Sequence, residues 1–300
     1  MTRSYFLTRC LLAPLILVAS PIVIADNHDQ DDVKVITVAK DIYMLTGKGG
    51  NIGLSTGKSG TLLIDDQYAP ASEKILAAIA GKTSDPVRFV VNTHWHGDHT
   101  GGNENMSKAG AVIVAHENVR KAMSKDQFIE VFNMEAPASP EIALPVITFT
   151  DAMSFHWNDD TIEVMHVTSA HTDGDSVIHF HQANVIHAGD TFFNKMYPFI
   201  DVNSGGSIAG MISAADKLLA LANGKTKIIP GHGPLADKKD LQVYREMLVT
   251  MQKRIGDLKS AGKTRDAVIA AKPTKSFDSV WGEGFLKPDV WVGIVYDSLH

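Results

Sequence analysis

The sequence predicts a layered α/β fold with a metal site along one edge of its sheets. Three observations carry that prediction. Short β-type runs alternate with amphipathic helical stretches along most of the chain. Histidine and aspartate recur just after those runs. The densest group, His94-Trp95-His96-Gly97-Asp98-His99, follows directly on the apolar run Val87-Arg88-Phe89-Val90-Val91. Imidazoles and a carboxylate packed this closely are costly unless a cation orders them, and neutral imidazole suits zinc. On a continuing strand His94 and His96 would point to the same side. Asp98 and His99, in a loop beyond, can turn to a second point, so the spacing predicts two metals.

Length and charge narrow the class. A chain of 300 residues allows one large domain or two small ones. A formal net charge of −6 leaves no basic footprint for nucleic acid. Residues 1–25 read as a signal peptide: Arg3 and Arg9, the short apolar stretch Leu11 to Ala19 interrupted by Pro14, then Val23-Ile24-Ala25. Cleavage is expected after Ala25, which places the mature protein in the periplasm or outside the cell. No later segment approaches the ~20 apolar residues of a membrane span, so no stable membrane anchor is expected after cleavage. Cys10 is the only cysteine and leaves with the leader. The mature chain then has no thiolate, and a metal site must be built from His, Asp and Glu.

In chain order, residues 26–32 are polar and acidic and read as a loose tail. Strands are expected at Val33–Val38, Ile42–Leu45, Asn51–Ser55 and Thr61–Ile64, the last ending in Asp65 and Asp66. The spacing of Ile75, Leu76 and Ile79 predicts a short helix closed by Gly81. After the His cluster come a strand at Ala111–Val114 and a helix from His116 to Met123, with His116 as a surface or cap residue. Ser124 to Pro145 is apolar and punctuated by proline, which fits a lid or substrate wall and equally a loop packed on the surface. Strands return at Val146–Phe149, Met153–Trp157 and Thr161–Val167, followed by the loop holding His171. Val177–Phe180 and Asn184–Ile186 are strands, the second running into Gly189-Asp190-Thr191. Helical spacing runs from Ile208 to Ala222, a strand at Lys227–Ile229 leads into Gly231-His232-Gly233, and a long amphipathic helix spans Leu241 to Leu258. Two shorter helices close the chain near Arg265–Ala271 and Pro288–Leu299.

In that order, the cluster at His94–His99, the His171 loop, Gly189-Asp190-Thr191 and Gly231-His232-Gly233 resemble the metallo-β-lactamase-fold hydrolase superfamily, in particular its glyoxalase II-like and β-lactamase-like members. The resemblance implies a four-layer αβ/βα sandwich over residues 33–258, with residues 259–300 as a C-terminal helical extension packed on it. It implies that His94, His96 and His171 hold one metal, that Asp98, His99 and His232 hold the other, and that Asp190 bridges them. His187 is then placed to support Asp190, while His156, His166, His179 and His181 are given structural or exposed roles.

Two zinc ions are the expected cofactor, with iron or manganese as alternatives. Such a pair would acidify a shared water enough to attack the carbonyl of an ester, thioester, lactone or lactam. Asp98 is the candidate catalytic residue, orienting the water or carrying its proton. Phe193 and Tyr197 are candidate walls for a small-molecule substrate. An aspartate at position 190 resembles the glyoxalase II-like and lactonase branches rather than the secreted β-lactamases. A β-lactamase proper, an iron-dependent sulfur dioxygenase and a non-catalytic metal or redox accessory protein are the alternative functions.

Overall fold

The computed structural model describes residues 1–2 and 33–299. Apart from its first two residues, the expected leader lies outside the described residues, as do Cys10 and the tail over 26–32. Among the described residues no helix is long and apolar enough to cross a membrane. The elements in order are β1 (Lys34–Ala39), β2 (Ile42–Thr46), β3 (Ile52–Ser55), β4 (Thr61–Ile64), α1 (Ser72–Ala80), β5 (Val87–Asn92), α2 (Gly97–Thr100), α3 (Asn103–Lys108), β6 (Val112–His116) and α4 (Glu117–Met123). Then come β7 (Gln127–Ile129), β8 (Met134–Ala136), β9 (Ile147–Phe149), β10 (Ala152–Trp157), β11 (Asp160–His166), β12 (Ser176–Phe180) and β13 (Val185–His187). The chain closes with α5 (Ile208–Leu221), β14 (Lys227–Ile229), β15 (Ala236–Asp237), α6 (Lys238–Ser260), α7 (Arg265–Ala270), α8 (Asp278–Trp281) and α9 (Pro288–Asp297).

Two sheets stack to form the sandwich. One runs β1-β2-β3-β4-β5-β6-β9 and the other β10-β11-β12-β13-β14-β15. Apolar side chains of the two inner faces interlock: Met44, Ile64 and Val91 from the first meet Val164, Ile178 and Ile229 from the second. The outer face of the first sheet is covered by α1 and α3 through Ile75, Ile79 and Met106. The outer face of the second is covered by α5 and α6, with Leu218, Leu241 and Leu248 against Val177 and Ile186. Near-continuous burial along β3, β4 and β12 follows from this, because each strand is covered on both faces.

The mixed strand directions place the site. β4, β5, β6 and β9 are parallel, and so are β13 and β14. The loops that leave these strands therefore emerge along one edge, where ligands collect in open α/β sheets. Two backbone bonds tie the sheets together there: Ser176 N–H to Thr93 O at 2.8 Å and Asn51 N–H to Gly231 O at 2.7 Å.

One stretch differs from expectation. The segment from Ser124 to Pro145 contains the small hairpin β7–β8. Its strands are three residues each, too short for a periodic signal. The C-terminal helices pack on the domain and share its main core: Val268, Trp281, Leu286 and Trp291 lie with Tyr244 and Met251 of α6. Trp291 is fully buried and stacks on Tyr197, with ring centres 4.2 Å apart and planes at 14°. Replacing it with alanine removes a large buried ring, which costs about 3–5 kcal/mol. Trp291→Ala is therefore expected to lower the urea unfolding midpoint sharply with little change of slope, and an unchanged midpoint would show that α9 does not share the core.

Candidate metal centre

The site begins where β5 ends. The strand stops at Asn92, so the strand periodicity expected for His94 and His96 is not what brings them together. His96 instead takes the N-cap position of α2, with extended backbone at φ −63° and ψ 146°. Gly97 to Thr100 then make one helical turn, and this reverses the chain so that Asp98 and His99 face back into the edge. The Thr100 hydroxyl donates to the carbonyls of Trp95 and His96. Asp66 secures the far side, donating its N–H to His99 O at 2.9 Å and accepting from Gly102 N at 2.9 Å.

All seven expected ligands converge. One ligand atom from each of His94, His96 and His171 lies within 4.8 Å of the others, and Asp98, His99 and His232 form a second such group. His171 Nε2 and His96 Nδ1 are 2.8 Å apart. His99 Nε2 and His232 Nε2 are 3.3 Å apart, and His232 Nε2 lies 3.2 Å from Asp98 Oδ2. Asp190 touches both groups. Its Oδ1 is 3.1 Å from His99 Nε2, and its Oδ2 is 3.4 Å from His232 Nε2, 3.5 Å from His171 Nε2 and 3.8 Å from His94 Nε2.

Four of the five imidazoles are aimed by a bond on the other side. Asp65, fully buried at the end of β4, accepts from Thr93 N–H at 2.7 Å and from the Thr93 hydroxyl at 2.8 Å. It also accepts from His99 Nδ1 at 2.8 Å. Because the Thr93 hydroxyl donates to Asp65, it accepts from His94 Nδ1 at 3.0 Å. That assignment leaves the lone pair of His94 on Nε2, which is buried and has no hydrogen-bond partner among the described residues. His96 Nε2 donates to Asp201 Oδ2 at 3.0 Å, leaving Nδ1 as its ligating atom. His171 Nδ1 donates to Phe199 O at 2.8 Å. His187 bonds Asn51 O at 3.0 Å and accepts from Gly189 N at 3.2 Å, so it holds the turn that presents Asp190. A buried lone pair without a donor, ringed by oriented imidazoles and two carboxylates, fits divalent cations of the zinc type.

The protein's own charges point the same way. Burial keeps His94 and His171 uncharged, pushing the latter down to about 4. Burial also works against charging His99 and His232, but Asp190 and Asp98 outweigh it, and His232 rises to about 9. Those protonated rings in turn hold Asp98 and Asp190 below the usual carboxylate range against their own burial. The carboxylates thus favour positive charge at this point, which protons supply on the imidazoles and which a bound cation would supply in their place.

A cavity of about 370 Å³ opens over this centre. His96, Asp98, Asp190 and His232 form its floor. The opposite side is apolar, with Ile129, Phe132 and Met134 from the β7–β8 hairpin, Phe199, and Phe285 from the C-terminal segment. Lys48 and Tyr68 complete the wall. Tyr197 does not line it. Its ring is buried against Trp291 and its hydroxyl donates to Asp278 at 2.9 Å, which corrects the expectation drawn from the aromatic run after Asp190. Phe193 is buried behind the floor, stacked on His232 at 5.1 Å, and supports a ligand rather than facing the cavity. His116 caps α4, accepting from Asn118 N at 3.2 Å.

Asp65 has a testable weight. Asp65→Asn removes the charge and turns one of the two accepting oxygens into a donor, so it cannot hold Thr93 and His99 together. Loss of such an outer support typically costs about 10–100-fold in metal affinity. That loss is expected in a competition titration with a chromophoric chelator, with native circular dichroism retained. Unchanged affinity would show that Asp65 does not orient the ligands.

Comparison with known proteins identifies the family. The profile of the metallo-beta-lactamase superfamily matches residues 45–232. The beta-lactamase-like protein 2 homolog of Caenorhabditis elegans is 22% identical over 248 residues, covering 79% of this chain and 74% of the relative. The hydroxyacylglutathione hydrolase of Erythrobacter litoralis is 30% identical over 108 residues, covering 36% of this chain and 35% of the relative. The solved structure of a metallo-beta-lactamase from Pontibacter korlensis superposes with a TM-score of 0.59 at 20% identity, over 72% of this chain and 99% of that one. With a family profile spanning more than half its length and the four-layer sandwich in place, the chain belongs to the metallo-beta-lactamase superfamily.

Proposed function

We propose that the chain is a dinuclear zinc hydrolase, exported to the periplasm or beyond, that opens an ester, thioester, lactone or lactam bearing an apolar substituent. One observation carries the reading: the Asp190 carboxylate reaches imidazoles of both ligand groups at once. A carboxylate so placed serves two cations rather than one. His94, His96 and His171 would hold the first, Asp98, His99 and His232 the second, with Asp190 between. Bound there, two divalent cations supply a water acidic enough to act as a nucleophile near neutral pH and a Lewis acid for the carbonyl.

The chain's own groups account for the rest. Asp98 lines the cavity and is partly exposed, with Oδ2 on His232. It orients the attacking water and accepts its proton. The Tyr68 hydroxyl is kept protonated, because burial and the neighbouring Asp98 both raise its pKa. It is available to donate a hydrogen bond to the carbonyl oxygen as charge builds there. Phe132, Phe199 and Phe285 form an aromatic arc, with Phe132 centred 5.0 Å from Phe199 and 6.2 Å from Phe285. That arc offers an apolar wall for the apolar part of the substrate. Relatives named hydroxyacylglutathione hydrolase support cleavage of an acyl group.

Metal analysis with a panel of a cephalosporin, a lactone and a thioester tests the proposal. About two zincs per chain are expected, and chelation should abolish turnover until zinc is restored. Asp98→Asn should lower kcat/KM by about 10²–10⁴-fold, the usual range for losing a general base. One iron per chain with no hydrolysis of any panel member would contradict the reading. Phe285→Ala should reduce the preference for a long acyl chain over acetyl about 10-fold, as expected when a pocket wall gives up one apolar side chain. An unchanged ratio would remove Phe285 from the substrate wall.

A further inference from the structure

A second set of metal-type side chains stands on β11 and β12, away from the cavity. β12 starts beside the centre, where Ser176 bonds Thr93, and runs away from it. Glu163 pairs directly with His179 across the two strands. His181 lies just past the end of β12, in the turn that follows, with its ring beside that of His179. One ligand atom from each of Glu163, His179 and His181 lies within 4.8 Å of the other two. His181 Nε2 is 3.1 Å from Glu163 Oε2, and the two imidazole rings are centred 4.2 Å apart.

The backbone around them is already set. His181 N–H donates to Thr161 O at 3.1 Å. Asp160 accepts from Gln182 N at 2.8 Å and Ala183 N at 3.0 Å, which fixes the turn just beyond His181. His179 is only 9% exposed, yet its buried Nδ1 has no hydrogen-bond partner among the described residues. A buried polar atom left unpaired is unfavourable and asks for an explanation.

We propose that Glu163, His179 and His181 form a peripheral site for one divalent cation of the zinc type, separate from the centre at Asp190. Two imidazoles and one carboxylate suit zinc or copper, whereas magnesium and calcium prefer all-oxygen sets. Glu163 and His181 are partly open to solvent, so an ion can enter without disturbing the core. The bound cation would clip β11 to β12 across the sheet. This site stands whether or not the main centre is hydrolytic.

The test is an isothermal titration with Zn²⁺ of protein already loaded with zinc and freed of excess by gel filtration. The wild type is compared with His181→Asn and Glu163→Gln, both at partly exposed positions where folding is preserved. The wild type should take up one more equivalent than the variants, or bind it at least about tenfold more tightly, with hydrolytic activity equal in all three. No additional uptake by the wild type, or the same uptake at the same affinity in both variants, would overturn the proposal and leave Glu163–His181 as an ordinary ion pair.

Discussion

The metal centre depends on one buried carboxylate. Asp65 has no solvent contact, and it accepts three hydrogen bonds from Thr93 and His99. Burying a charge is expensive unless donors surround it. Here the donors are what needs to be held: through Thr93 it sets His94, and directly it sets His99. One side chain thus fixes a ligand in each of the two groups. Asp65 adopts a left-handed backbone with φ 64°, as does Gln67 with φ 59°. Aspartate tolerates that conformation better than most residues, and it turns the chain sharply off β4 beneath the His cluster. Gln67 then donates to Gly50 O at 2.7 Å, tying the neighbouring loop to the same support.

Close packing at the edge requires glycine at two positions in particular. A Cβ on Gly50 would collide with the imidazole of His99, and one on Gly231 would collide with Asp190 Oδ1. Those loops come from opposite sheets and are joined by the Asn51–Gly231 backbone bond. The sandwich and the site are consequently one construction. The inner faces pack, the parallel strands end together, and the loops can approach only because side chains are missing where ligands must pass.

Most of the ligand set is legible in the sequence because His-x-His-x-Asp-His concentrates its chemistry in six residues, and the later ligands follow strands with β-type patterning. The reason those residues converge is not legible. Strand alternation does not do it; a single helical turn with His96 at its N-cap does, and so short a helix leaves no periodic trace. Asp65 and Asp201 are invisible as supports because their partners, Thr93 and His96, lie 28 and 105 residues away along the chain. Tyr197 misleads because an aromatic run after a ligand gives no face information, and only Trp291, contributed from α9, decides that its ring belongs to the core. Phe285 sits in the Trp281–Asp289 segment, yet nothing local shows that this segment returns to the cavity. His179 and His181 read as ordinary strand residues until register places Glu163 opposite.

The proposed dinuclear centre requires one carboxylate, Asp190, to stand between two cations. Anomalous diffraction from crystals of the zinc-loaded protein, collected on either side of the zinc absorption edge, addresses it most directly. At this centre two peaks are predicted about 3.5–4 Å apart, one against His94, His96 and His171 and the other against Asp98, His99 and His232, both in contact with Asp190. A single peak held by one group, with Asp190 turned to that side alone, would contradict it.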